Sequence, residues 1–271
     1  MKTKQLISIL FLLLVSFLFT VSCSTERSLA YRYLSNYSGG KMALIVPQSI
    51  IKENLVKSKM EKIGGTDSLF QEKVKLLRSI DESKYADSFM TAYIKGLESF
   101  GFKVQVYPDK ESVNDQQVDY LVSVAQVQIT EYSQPTKEES QMGDFVYSQD
   151  FLVENILVSS WFEISSFRYD GFPEEVVFAE NGISEGYSGK FKETVNGKIH
   201  FDLSKETILP QDVYFLGKTL GTAYAKYTFN FFMNMSIKTK LGRKFDIENG
   251  YSFDPKRDLI YPRQQGFIPL D

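Results

Sequence analysis

The sequence predicts an α+β fold: a mixed sheet with crossover helices, an antiparallel hairpin meander and a long helix in the C-terminal half. Three observations predict it. Between Met42 and Tyr132, strand-like and helix-like runs follow one another as strand, helices, strand, strand. Helices between two strands allow the crossover that a parallel pair requires. Between Phe151 and Leu203, strand-like segments are separated by Gly171-Phe172-Pro173, Asn181-Gly182 and Asn196-Gly197, and Asn-Gly pairs are strong hairpin signals. From Pro210 to Leu241, Val213, Leu216, Leu220, Tyr224, Tyr227 and Phe231 make one stripe at helical spacing.

Composition is consistent with this fold and excludes several function classes. The chain has 271 residues, 43% hydrophobic and 24% charged, which is enough to bury a sizeable core in one globular domain, assigned to 41–271. The formal net charge is -3; without residues 1–22, which hold Lys2 and Lys4 and no acid, 29 basic residues face 34 acids. No run of Lys or Arg appears, so a nucleic-acid partner is not expected. One Cys forbids an internal disulfide, and one His forbids a His-based metal cluster.

The N-terminus carries an address. Lys2 and Lys4 precede Leu6 to Val21, a nearly unbroken apolar run that reads as a secretory signal rather than a bilayer span. It ends in Phe19-Thr20-Val21-Ser22-Cys23-Ser24, which resembles a bacterial lipobox. The resemblance implies cleavage after residue 22, acylation of Cys23 and a membrane hold through several acyl chains, each buried methylene contributing about 0.8 kcal/mol. Residues 1–22 are then a signal peptide and 23–40 a short tether closed by Gly39-Gly40. The Phe-, Tyr-, Lys- and Asn-rich composition resembles that of Bacteroidota proteins. Ser24, with a single acid in the residues that follow, favours the outer membrane on its periplasmic side.

Along the mature chain, Met42 to Val46 before Pro47 reads as a buried strand. Ser68 and Gln71 fit a capping box for a first helix through Leu77. Tyr85, Phe89, Tyr93, Leu97 and Phe100 mark a second, core-facing helix with Gly101 at its cap. Phe102 to Tyr107 alternates as a strand. So does Asp119 to Tyr132, whose phase slips after Val124 and implies a bulge. Gln134 to Gly143 is polar and reads as a surface loop. Gly217 and Gly221, four apart in the long helix, permit a close helix or sheet approach. The tail after Gly250 reads as extended and irregular.

Catalytic patterns fail their context. Gly182-Ile183-Ser184-Glu185-Gly186 matches the nucleophile elbow formally, but the motif needs a helix after the Ser, and alternating residues follow instead. Glu193 and His200 would have to complete a triad from only seven residues apart. No phosphate-cradling Gly-Lys motif is present. Glu138-Glu139 and Glu174-Glu175 sit beside prolines and lack calcium-loop spacing. No metal or cofactor is therefore expected, and His200 reads as structural or solvent-facing. Trp161-Phe162, with Phe167, Tyr169 and Phe172, suits core packing ahead of an apolar pocket.

The stretch Met42 to Tyr132, through Phe89 to Gly101, Val104 to Tyr107 and Asp119 to Val124, distantly resembles the sheet-and-helix modules of TolB N-terminal, curli-secretion and transport-auxiliary lipoproteins. What that resemblance implies is a non-enzymatic, lipid-anchored envelope protein that binds or helps assemble another envelope component. A lipid or small-ligand carrier is the alternative, and a serine hydrolase using Ser184 ranks behind both.

Overall fold

The computed structural model describes residues 25–37, 39–55, 75–114, 117–167, 174–242 and 245–270. The segment read as a signal peptide and Cys23 lie outside the described residues. So do most of the first helix expected from the Ser68 capping box and the Gly171-Phe172-Pro173 break. The fold is α+β. In chain order its elements are α1 (25–36), β1 (Gly40–Ile45), β2 (Ile50–Asn54), α2 (Lys75–Ser79), α3 (Glu82–Ser99), β3 (Phe102–Tyr107), β4 (Tyr120–Met142), β5 (Phe145–Ser166), β6 (Glu175–Ser184), β7 (Gly186–Glu193), β8 (Ile199–Glu206), α4 (Pro210–Leu241), β9 (Tyr251–Asp254), β10 (Leu259–Pro262) and β11 (Ile268–Pro269).

Seven strands form one mixed sheet, six in the order β11-β6-β5-β4-β1-β3 and β2 paired with β4 off that path. β1 is parallel to both β3 and β4, as the intervening helices require. β2 continues along the same side of β4, farther on, pairing Ile50–Asn54 with Val127–Glu131. The phase slip after Val124 is a bulge: Val124 pairs with Phe162 and Gln126 with Trp161. On its core side the sheet presents Val122, Val127, Ile129, Ile156, Val158, Phe162 and Ile164 to α3 and α4.

α3 starts at Asp81, whose carboxylate accepts from the Lys84 N–H, and buries Tyr85, Phe89, Tyr93 and Leu97 at the expected spacing. Gly101 follows at φ 89°, the left-handed conformation that glycine adopts without steric cost. α4 covers 32 residues, about 48 Å at 1.5 Å per residue. Its first-turn Asp212 accepts from the Leu209 N–H. Gly221 lets the two helices touch backbone to backbone, since a Cβ there would stand 2.3 Å from the Phe89 carbonyl oxygen and 2.9 Å from the Tyr93 nitrogen. The glycine pair expected to permit close approach does so against α3.

Toward its C-terminus α4 buries Asn230 and Asn234. Asn234 accepts from the Tyr251 N–H and donates to the Tyr251 carbonyl, and Asn230 accepts from the Phe253 N–H. These amides supply β9 with the partners a strand would otherwise supply. The tail, expected to be irregular, thus contains the β9–β10 hairpin, and β11 adds to the edge of β6.

Three further segments differ from expectation. Residues 25–36, within the stretch read as a tether, are helical, with Ala30 and Tyr33 buried and Tyr33 and Tyr37 packed on Phe229. Residues 134–142, expected to be a loop, continue β4 and pair with β5 up to Met142 and Phe145. Asn181-Gly182 is not a turn: both residues lie within β6, opposite Val158 and Leu157. Glycine is needed there for close approach, because a Cβ would stand 2.4 Å from the Ile156 carbonyl oxygen. The second pair, Asn196-Gly197, does turn β7 into β8, with Gly197 at φ 71°.

Candidate interaction surface

β4 and β5 outrun the rest of the sheet. β6 leaves β5 after Asn155, and β2 leaves β4 after Glu131. Beyond that point the two strands continue as a ribbon to the turn at Gly143-Asp144. From Ser133 to Met142 this arm extends about 30 Å, at about 3.3 Å per residue. The β7–β8 hairpin lies against one face of it. Phe151 packs on Tyr187 and Phe201 with ring centroids 5.0 and 5.9 Å apart, and Tyr147 packs on Phe191 at 6.0 Å. Two ribbons that would be marginal alone thereby share an aromatic layer.

Polar bonds fix the root of the arm. The Glu185 N–H donates to the Glu154 carbonyl at 2.9 Å, and the Glu154 N–H donates back to the Glu185 carboxylate at 3.1 Å. Lys205 pairs with Glu185 at 2.9 Å and also donates to the Leu152 carbonyl. On the core face the Ser133 hydroxyl donates to the Glu154 carboxylate at 2.6 Å. Glu131, 3% exposed, lies on the same face and accepts from Asn54 at 2.8 Å. Burial, reinforced by the charge of Glu154 and opposed by hydrogen bonds from Asn54 and the Leu77 backbone, raises the Glu131 carboxyl to about 7.

The far end of the arm is apolar. Phe145 and Val146 are each 68% exposed, and Val195 in the β7–β8 turn is fully exposed. The pairing of Tyr147 with Phe191 places the two turns at the same end. α1 is at the opposite end of the sheet. Tyr37 packs on Phe102, the first residue of β3, and the first residue of β4, Tyr120, packs on Phe232 in the second half of α4. β4 therefore runs from the α1 end to the arm's tip, roughly 70 Å for its 23 residues.

The residues tested for chemistry are placed as follows. Ser184 ends β6 and is followed by Glu185 and then β7, with no helix after it; its hydroxyl donates to the Asn155 side chain at 2.5 Å. His200 is exposed on β8 opposite Lys192, and Glu193 ends β7 opposite Ile199. The elbow sequence is thus spent on a strand end and a crossing between ribbons. Glu138 and Glu139 lie on the arm, and Glu174 pairs with Lys110 at 2.8 Å. Among the described residues no group of three or more His, Cys, Asp or Glu is placed to hold a metal ion. No described helix is long and apolar enough to cross a membrane.

The aromatic residues weighed as a pocket pack instead. Trp161 lies against Phe178 at 5.0 Å, and Phe162 contacts Tyr93, Tyr224 and Phe267 in the core. Phe167 is exposed, while Tyr169 and Phe172 lie outside the described residues. Two open clefts meet at Phe215: one of about 470 Å³ beside Ser184, Glu206 and Leu216, and one of about 960 Å³ between the outer faces of α3 and α4. Neither is lined by the aromatic strands. The arm's tip residues were missed in the sequence because Phe145-Val146 and Val195 are short apolar stretches next to turns and far apart along the chain.

No family model matches the chain, and no curated protein matches it. One solved structure, described as a neuraminyllactose-binding hemagglutinin homolog from Helicobacter pylori, is similar over 77% of this chain and 88% of its own, at 11% identity and a TM-score of 0.34. At that score the likeness carries no argument about fold or function.

Proposed function

We propose that this chain is a non-enzymatic envelope lipoprotein, held by acylated Cys23 in the outer membrane on its periplasmic side, that binds another envelope component through the end of its arm. The observation that carries this reading is the polarity of the molecule. The segment following Cys23 packs at one end of the sheet, and the exposed apolar cluster of Phe145, Val146 and Val195 stands at the other. A stiff two-layer arm with a bare apolar end suits contact with a partner, because apolar side chains exposed in company mark interaction sites more often than they occur by chance. Only one residue, Ser24, separates Cys23 from the first described residue, Thr25, which begins α1. The body would therefore sit close to the bilayer while the arm reaches away from it.

The test is site-specific photocrosslinking in the native envelope. Benzoylphenylalanine replacing Phe145 in the full chain is expected to give one discrete adduct with a protein other than a second copy of this chain, and the same group replacing Phe215, equally exposed on the body, is expected to give none. An adduct at residue 215 with none at 145 contradicts the reading and moves the contact to the clefts beside α4.

A further inference from the structure

In the arm, β5 is paired on one side only. From Phe145 to Val153 it faces β4, and its other edge meets no described strand, because β6 joins it only from Asn155 onward. Glu154 directs both its N–H and its C=O to that open side, where Glu185 takes them. Hydrogen-bonding direction alternates along a strand, so Leu152, Asp150, Ser148 and Val146 direct their backbone groups the same way. The Leu152 carbonyl accepts from Lys205 and the Asp150 carbonyl from the Gln149 side chain.

The two outer edges of the arm differ in how they are protected. The β4 edge carries Pro135, the Lys137–Glu139 ion pair at 2.5 Å and Glu138, which are the usual devices against strand-to-strand association. From Phe145 to Leu152 the β5 edge carries no proline and one charge, Asp150, with Val146 and Leu152 exposed. Such an edge is a template for another strand.

We propose that this edge pairs antiparallel with the same edge of a second copy, joining two arms into a four-stranded ribbon about a two-fold axis at Gln149. The occupant follows from self-complementarity. That register sets Val146 opposite Leu152 and Ser148 opposite Asp150, so apolar meets apolar and the edge's one carboxylate meets a hydroxyl. Glu185, which already holds Glu154, ends the ladder at Leu152. This inference is independent of lipid anchorage and shares only Val146 with the cluster proposed for the arm's distal contact.

At the axis, Gln149 faces its own copy as a non-hydrogen-bonded pair, for which the Cα separation is about 4.5 Å, within disulfide reach. The full chain carrying Gln149→Cys, mildly oxidised with copper phenanthroline, is expected to run as a disulfide-linked dimer on a non-reducing gel. The parent chain, whose one cysteine is Cys23, sets the background. Ser188→Cys, exposed on the outer face of β7, is expected to stay monomeric. Adding Ser148→Asp to Gln149→Cys places carboxylates opposite one another twice and should cut the dimer about tenfold. Adding Asp150→Lys to that pair should restore it. Gln149→Cys that remains monomeric, Ser188→Cys that crosslinks equally, or a charge swap that restores nothing would each overturn the proposal.

Discussion

Replacing Gly221 with Ala is expected to destabilise the fold by about 2–3 kcal/mol, although the same change in an ordinary helix interior stabilises by about 1 kcal/mol. The reversal comes from what surrounds the missing Cβ. Its neighbours are the Phe89 carbonyl oxygen at 2.3 Å and the Tyr93 nitrogen at 2.9 Å. Backbone atoms in the middle of α3 cannot swing aside as the end of a side chain can. The two helices must part, and the contact of Phe89 with Tyr224 and the bond between Tyr93 and Thr228 at 2.6 Å loosen together. Denaturant unfolding of the parent, Gly221→Ala and Thr222→Ala measures this. Thr222 is exposed on the next position of the same helix and should change little. A Gly221→Ala protein as stable as the parent would mean that α3 and α4 do not meet at this point.

Stability is expected to fall as pH rises from about 4.5 to about 7, by about 3 kcal/mol contributed by Glu131. In the folded chain this carboxyl is raised from its ordinary 4.5 to about 7 by burial and by the charge of Glu154. Between those values the folded chain holds a proton that the unfolded chain has released, so each step up in pH favours unfolding. Above pH 7 both states are ionised and the loss is complete. Glu131→Gln should flatten this part of the profile and raise stability at pH 8, since an amide oxygen still accepts from Asn54. A profile unchanged by Glu131→Gln would show that the carboxylate is not buried beside Glu154. The arm's root is the place affected, because Glu131 and Glu154 lie where β4 and β5 leave the core.

Periodicity made most of the body legible. The stripe Tyr85, Phe89, Tyr93, Leu97 and the run from Val213 to Phe231 are local patterns that burial against one sheet face imposes, and both helices stand where those residues place them. The bulge after Val124 was legible because one extra residue moves every later apolar side chain to the other parity. The arm was not legible for the converse reason. Residues 134–142 lie beyond the core, so Pro135, Lys137, Glu138 and Glu139 face water and show no alternation. Their strand character comes from pairing with β5, whose Tyr147 and Phe151 carry the one usable signal, a period of two extending downstream into Val153. Asn181-Gly182 misled because the same glycine that suits a tight turn also suits a close backbone approach. Around α1, a Ser-, Asn- and Tyr-rich composition concealed Ala30 and Tyr33, with Tyr37 just past the helix end, which recur at three and four residues as a helix face does.

The tip of the arm was not legible in the sequence. The lipobox resemblance at Cys23 is a contiguous string, whereas the tip of the arm is assembled from Phe145, Val146 and Val195, about fifty positions apart in sequence and brought together by the stacking of two ribbons.

The measurement that tests the account most directly is metabolic labelling with radioactive palmitate, followed by envelope fractionation, for the parent chain and for Cys23→Ala. The account predicts that the parent is labelled and sediments with the outer membrane, and that label and membrane association vanish together in Cys23→Ala. Membrane association that persists in Cys23→Ala without label would contradict it. Leu6 to Val21 would then be retained as the anchor, and the cleavage after residue 22, the short connection to α1 and the orientation of the arm derived from them would all fall.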